Sequence, residues 1–164
     1  MNKVYIALEK LCRWLDKVVL SVSGICLAVL TILIFIQVIC RYLFSNSLSW
    51  SEEIARYLEV WIVFICGAYA LGRGQHVAMD LVINVVPQKV RFIFEKIHSL
   101  LFVFFSLFMF FYGVSFMIME SEQKMASLRM VPKNVVYLAL PVSAVCMLIY
   151  SLMLLFKNRE EASV

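Results

Sequence analysis

Residues 49–73 read SWSEEIARYLEVWIVFICGAYALGR, an apolar helical segment with charged side chains in its first half. Its uncharged part, Val60 to Gly72, is only 13 residues long. Crossing a hydrocarbon core of about 30 Å takes roughly 20 residues at about 1.5 Å each. We therefore predict that the spanning length reaches back to about Glu52, and that Arg56 and Glu59 lie within or at the edge of the bilayer.

These charged residues share one face of the predicted helix. Glu52, Arg56 and Glu59 are spaced i, i+4 and i+7, and Glu53 lies beside them, three residues before Arg56. A charge at membrane depth costs roughly a few kcal/mol unless it faces protein or water. We therefore predict that this face is an assembly surface within the bundle or toward a partner protein. Glu53, nearer the lipid headgroups, is expected to tolerate substitution better than Arg56 or Glu59.

A simpler interpretation remains open at this point. Glu52 and Glu53 would form an ordinary first turn in the headgroups, while Arg56 and Glu59 pair with each other and snorkel to the interface. Three aromatic residues are typical of the belt found at a membrane–water interface: Trp50, Tyr57 and Trp61. We include Trp50 and Trp61 in the predicted assembly surface.

The bulk composition indicates an integral membrane protein. The 164 residues are 63% hydrophobic and 14% aromatic, with a mean hydropathy of +0.91. Three further uncharged runs of 22 or 23 residues each predict membrane spans: Val18–Cys40, Ile97–Met119 and Val135–Phe156. We predict a single all-α membrane domain, 1–164, with spans at about 18–43, 50–72, 88–120 and 132–157. The short connections leave no room for a soluble catalytic domain, so we do not expect an enzyme.

The net charge of +4 reflects membrane topology and not nucleic-acid binding. Five basic residues are assigned to one side of the predicted bundle: Arg41, Arg56, Lys124, Arg129 and Lys133. The other ten lie before span one, between spans two and three, or after span four. By the positive-inside rule, this distribution predicts that both termini are cytoplasmic.

Two segments outside the spans have helical amphipathic patterns. Residues 1–17 are predicted to form a cytoplasmic amphipathic helix, or simply to continue into span one. Residues 76–86 are predicted to form a short interfacial helix whose polar stripe includes His76 and Asp80. Arg73 and the glycines at 72 and 74 suit the end of the second span, since glycine readily adopts a left-handed cap. Arg73, His76 and Asp80 complete the predicted assembly surface.

Several other residues bear on function. The five cysteines have no metal-ligand or redox-motif spacing, and we expect neither a metal site nor a cofactor. Gln37, the only amide in span one, is expected to make an interhelical hydrogen bond. Pro141 lacks an amide donor and is expected to kink span four. No pair of Gly/Pro-interrupted half-helices of the kind that forms a substrate site is present in the sequence.

Three parts of the sequence carry a resemblance to a known family: the block Ser49-Trp50-Ser51-Glu52-Glu53-Ile54-Ala55-Arg56-Tyr57 with Trp61 after it, the segment Gly74-Gln75-His76-Val77, and a proline at 87. Together they resemble the small (Q) subunit of tripartite ATP-independent periplasmic (TRAP) transporters. The resemblance implies a bacterial inner-membrane complex. In it, a large M subunit would bind solute and sodium, and a periplasmic substrate-binding protein docking on the outer face would deliver a carboxylate such as a sialic acid or a C4-dicarboxylate. The small subunit would be a scaffold embedded in the lipid bilayer.

Two other classes of protein remain as alternatives. A self-sufficient four-helix transporter would use Glu59 as a proton-coupled site. A membrane anchor of a redox complex would need facing histidine ligands for haem, and the chain offers only His98 near the inner end of span three, where that span begins, with His76 outside the spans.

Overall fold

The computed structural model describes residues 3–44, 48–72, 88–127 and 131–156. Its helices are α1 (Lys3–Leu43), α2 (Ser49–Gly72), α3 (Gln88–Met119), α4 (Asn134–Tyr137) and α5 (Ala139–Phe156). Four helical segments are long and apolar enough to cross a membrane: α1, α2, the part of α3 from Lys96, and α4 with α5. The predicted all-α fold with four spans is confirmed.

Helix α1 runs without a break from Lys3, in the predicted amphipathic segment, through the first span to Leu43, over 41 residues. The predicted interfacial helix 76–86 lies outside the described residues. The part of the chain that is described contains one isolated antiparallel β-bridge, between Lys124 and Pro132, which closes the connection between α3 and α4 into a hairpin-like loop.

Helix α5 is the centre of the bundle. It packs most extensively against α3, then against α2, and it also contacts α1. A helix that is apolar around its whole circumference is expected to have protein on several sides, and α5 has this composition. Its buried positions are largely small residues, which let neighbouring backbones approach closely: Ala139, Pro141, Ser143, Ala144 and Ser151, with Tyr150 as the one large exception.

The contact between α3 and α5 depends on a glycine. A Cβ atom at Gly113 would lie 2.8 Å from the Cβ of Leu140 and 3.1 Å from the Cδ of Pro141. Both distances are too short for a carbon–carbon contact, whose optimum is about 3.5–4.0 Å. The absence of a side chain at Gly113 therefore permits the two helices to meet at the start of α5.

The expected effect of Pro141 is visible as a division of the fourth span. Helix α4 ends at Tyr137, Leu138 forms a turn, and α5 begins at Ala139. Tyr137 is four residues before Pro141, so its carbonyl is the one that the missing proline N–H would have bonded. The neighbouring bonds persist, with Leu138 N donating to Asn134 O at 2.9 Å and Val142 N to Leu138 O at 3.2 Å.

Large apolar side chains cover the outer faces of α1 and α3. Phe35 is 66% exposed and Ile25 65% on α1, while Phe104 is 72% exposed and Phe111 68% on α3. Without water in the hydrocarbon core, such faces are suited to lipid tails or to the apolar surface of another membrane subunit. The polar contacts between helices are therefore found mainly near the ends of the bundle.

The charged end of helix α2 as candidate functional site

Glu52 links α2 to α1. The Gln37 side chain donates from Nε2 to Glu52 Oε1 at 2.8 Å, and this bond is partly buried. The interhelical hydrogen bond expected of Gln37 is thus present, and its acceptor is one of the four acidic or basic residues singled out on α2. Because the acceptor is charged, the bond belongs to the stronger class of hydrogen bonds.

Glu53 binds the loop between α3 and α4. Its Oε1 accepts the Ala126 N–H at 3.0 Å, and its Oε2 accepts the Ser127 N–H at 2.8 Å. The Tyr57 hydroxyl, one turn further along α2, donates to Oε1 at 2.7 Å. A carboxylate that accepts three hydrogen bonds fixes the position of this loop on α2, 73 residues away in sequence.

The loop itself is held by backbone pairing. Met125 N donates to Val131 O at 3.1 Å, and Lys133 N donates to Gln123 O at 2.9 Å. The Met125 side chain is buried, with 6% of its surface exposed. Together with Glu53, these contacts attach the loop to the end of the bundle at which α2 begins.

Arg56 and Glu59 differ from the two preceding glutamates. Both side chains are exposed, and neither makes a hydrogen bond or ion pair with another residue of 3–44, 48–72, 88–127 or 131–156. The direct Arg56–Glu59 pair of the simpler interpretation is therefore not formed. The charged face therefore divides into two pairs. Glu52 and Glu53 form hydrogen bonds within this chain, whereas the charges of Arg56 and Glu59 are available to a ligand or partner.

A cleft lies beside Arg56, between α2 and the α4–α5 segment. Its volume is about 420 Å³. It has basic side chains at one end and apolar ones along its walls, which include Arg56, Val60, Phe64, Lys133, Val136 and Leu140. We call it the Arg56/Lys133 cleft.

One known protein family matches most of this chain. Residues 30–160 match the family described as "Tripartite ATP-independent periplasmic transporters, DctQ component". The chain belongs to the DctQ family. It is a small membrane subunit of a TRAP transporter, and its four apolar helices make it a multi-pass protein of the inner membrane.

Individual relatives carry related names. The chain is 32% identical over 80 residues to a TRAP transporter small permease protein of Haemophilus influenzae, covering 49% of this chain and 50% of the relative. It is 32% identical over 62 residues to the "C4-dicarboxylate TRAP transporter small permease protein DctQ" of Vibrio cholerae, covering 38% and 27%. A third similarity, 28% over 142 residues, is to the "Sialic acid TRAP transporter permease protein SiaT" of Haemophilus influenzae, covering 86% and 22%. The matched regions thus span half or less of these relatives' lengths.

The two tryptophans that this DctQ-family chain contributes to the predicted assembly surface have different environments. Trp61 donates from Nε1 to the Val135 carbonyl at 3.2 Å and so connects α2 with α4. Trp50 is 40% exposed. The other three residues of the predicted assembly surface, Arg73, His76 and Asp80, lie outside the described residues, so the structure does not bring them together with the charged end of α2.

A second polar cluster of the DctQ-family subunit was not identified from the sequence. At the opposite end of the bundle, Asp16 of α1 is only 7% exposed and accepts a hydrogen bond from the Tyr150 hydroxyl at 2.8 Å. The Tyr150 ring packs against Gly72, where a Cβ would lie 2.6 Å from its Cγ. This cluster joins α1, α2 and α5. The sequence signal that could have indicated this cluster is the position of Asp16, an acidic residue at the edge of the apolar first span that needs a partner there.

Gly72 also has a different role from the predicted one. It is the last residue of α2, but its φ does not lie in the left-handed range. Its lack of a side chain is required by Tyr150 and not by a left-handed cap. Gly74, the other candidate for the cap, is outside the described residues.

Lys96 caps the central helix at this same end. Its Nζ donates to the carbonyl of Leu154 at 3.4 Å and to that of Leu155. A cation at a helix C-terminus satisfies carbonyl groups that have no partner within the helix and interacts favourably with the helix dipole. Lys96, the first residue of the third span in the structure, therefore contributes to the fold as well as to the charge asymmetry.

The three hydrogen bonds to Glu53 lead us to expect a larger effect of substitution than its position near the headgroups suggested. In a Glu53→Ala variant, the Ala126 and Ser127 amides lose their acceptors, and hydrogen exchange in residues 120–127 is expected to become severalfold faster. Glu53→Gln, which keeps one side-chain oxygen, should have a smaller effect. Exchange measured by mass spectrometry on the purified subunit tests this.

Glu122→Ala is the matched control, because Glu122 is an exposed acid of the same loop with no hydrogen bond to a described residue. Equal exchange rates in Glu53→Ala and in the unmodified subunit would show that Glu53 does not hold the loop.

Proposed function

We propose that this chain is the scaffold subunit of an ion-gradient-driven TRAP transporter. With a large membrane subunit and a periplasmic substrate-binding protein, it would support uptake of a carboxylate-bearing solute, with sodium as the coupling ion. The names of the relatives support sialic acid and C4-dicarboxylates as the solutes to test first. The proposal assigns the translocation path to the large subunit.

The observation that carries this proposal is the distribution of charge along the helices. The runs Val18–Cys40, Val60–Gly72, Ile97–Met119 and Val135–Phe156 contain no Asp, Glu, Lys or Arg. The interruption of the fourth span at Leu138 lies next to the loop and not at mid-depth. A carboxylate at the centre of the membrane would need cationic groups or exposed helix ends around it. Apart from Glu59, which lies inside the second span, the described charges of this chain lie toward the two ends of the bundle, where they can hold a neighbouring subunit.

Reconstitution tests the proposal directly. Proteoliposomes that contain this chain alone should accumulate no more labelled sialic acid or C4-dicarboxylate than empty vesicles. Adding a co-purified large subunit and a binding protein should produce uptake that collapses when the sodium gradient is removed. Solute accumulation by the chain alone would contradict the scaffold role and support a self-sufficient transporter that uses Glu59.

The orientation of the subunit is a separate part of the proposal. With both termini cytoplasmic, the loop that Glu53 holds faces the periplasm, where the binding protein would dock. In a cysteine-free background, Ser127→Cys should react with a membrane-impermeant maleimide added outside, and a cysteine appended to the C-terminus should not. The opposite labelling pattern would invert the topology.

A further inference from the structure

The Arg56/Lys133 cleft has the properties of a site for one amphipathic molecule. We propose that it binds a phospholipid with an anionic headgroup, whose phosphate lies between Arg56 and Lys133 and one of whose acyl chains follows the apolar wall. The cleft volume of about 420 Å³ lies within the range of about 300–1,000 Å³ that is usual for small-molecule sites. This inference goes beyond the scaffold role and does not depend on it.

The charges at the mouth of the cleft favour an anion. Among the described residues that line it, two are basic and none is acidic. Arg56 has no hydrogen bond or ion pair with another described residue, and Lys133 donates to the neutral Gln123 Oε1 at 3.0 Å, so its charge is not compensated there. The nearby Glu53 carboxylate is occupied by two loop amides and the Tyr57 hydroxyl.

The depth of the cleft favours a lipid over a soluble anion. Phe64 follows Arg56 by eight residues of α2, which places it about 12 Å further along the helix axis at about 1.5 Å per residue. Leu140 follows Lys133 by seven residues in the same direction along α4 and α5. Both cations are therefore at the interfacial end and both apolar walls extend toward the membrane interior. A phosphate joined to an acyl chain matches this polarity, whereas a small carboxylate would leave the apolar walls unfilled.

The aromatic residues around the cleft are of the types found at the depth of lipid headgroups. Tyr57 and Tyr137 line its polar end, and Trp61 is fixed on the neighbouring turn by its bond to Val135. Tyrosine and tryptophan rings prefer the boundary between headgroups and hydrocarbon. The two cations therefore lie at the level where lipid phosphates occur in a bilayer.

Native mass spectrometry of the full chain tests the proposal. The subunit is exchanged into detergent with equal amounts of phosphatidylglycerol and phosphatidylcholine of identical acyl chains, and retained lipids are counted. One phosphatidylglycerol should be retained with a preference of about tenfold or more over phosphatidylcholine. In the Arg56→Gln/Lys133→Gln variant this preference should fall to near unity.

The control removes two charges from the same end of the bundle but outside the cleft. Arg41 and Lys124 are both exposed and do not line it, so Arg41→Gln/Lys124→Gln should keep the wild-type preference. Val60→Trp retains both cations and fills the apolar part, and it should reduce retention of both lipids. Because it keeps the charges, it also tests the cleft if the double charge variant does not fold.

Three results would overturn the proposal. The first is an unchanged preference in the Arg56/Lys133 variant, and the second is an equal loss in the Arg41/Lys124 control. The third is retention of lipid by the chain alone but not by its complex with a large subunit. That third result would show that the large subunit, and not a lipid, occupies the cleft.

Discussion

A Glu59→Ala variant is expected to be recovered in much lower yield with its large partner subunit, while the variant chain purified alone keeps its Tm. The reason lies in the asymmetry of the charged end of α2. Glu52 and Glu53 are bonded within the chain, whereas Glu59 is exposed and has no hydrogen bond or ion pair with a described residue. A charge inside a span is expected to face a partner.

The size of the loss in binding free energy distinguishes a buried contact with the partner from an exposed one. Removing one member of a buried ion pair costs about 3–5 kcal/mol because the other member is left uncompensated, while an exposed pair contributes roughly 0–1 kcal/mol. Co-purification from a tagged large subunit measures this, with Glu122→Ala as the control. Since Arg56 and Glu59 do not pair with each other, the loss caused by Glu59→Ala should be the same with or without Arg56→Ala. Unchanged complex yield and uptake in Glu59→Ala would show that this side chain only snorkels to the interface.

A Gly72→Ala variant is expected to lose about 3 kcal/mol of stability or more. The new methyl group would enter the Tyr150 ring, which is only 1% exposed and cannot move aside freely. Overpacking of this kind costs about 1–3 kcal/mol. Displacement of the ring also breaks its hydrogen bond to the Asp16 carboxylate, which contributes about 1.5–3 kcal/mol.

Thermal unfolding of the purified subunit in detergent measures this loss as a lower Tm. Gly67→Ala is the matched control, because Gly67 lies on the same helix and a Cβ there meets nothing within 4 Å. Its Tm should be unchanged or slightly higher, since alanine favours the helix by up to about 1 kcal/mol. In a Tyr150→Ala background, the Gly72→Ala substitution should become nearly harmless. A wild-type Tm for Gly72→Ala alone would contradict the close packing at this end.

The sequence alone was sufficient for the class of fold and for the family. Apolar runs of 22 or 23 residues specify spans because helix rise and bilayer thickness are fixed, and neither depends on how the helices pack. The same local rules identified Gln37 as an interhelical donor, since a buried amide in an apolar span needs a partner. The block from Ser49 to Tyr57 was the most specific part of the resemblance to the small TRAP subunit, which also included Trp61, the segment 74–77 and the proline at 87.

The tertiary structure decided which residues are in contact. Helical spacing placed Glu52, Glu53, Arg56 and Glu59 near one another. The partners of Glu52 and Glu53 come from α1 and from a loop 73 residues away, and spacing along α2 contains no information about either. The Asp16–Tyr150 bond joins residues 134 positions apart, and the requirement for glycine at 72 exists only because a distant ring packs there. Periodicity fixes the direction of a side chain around its own helix axis. The partner that it meets depends on how the helices pack, and here that packing is set by the close approach of small residues around α5.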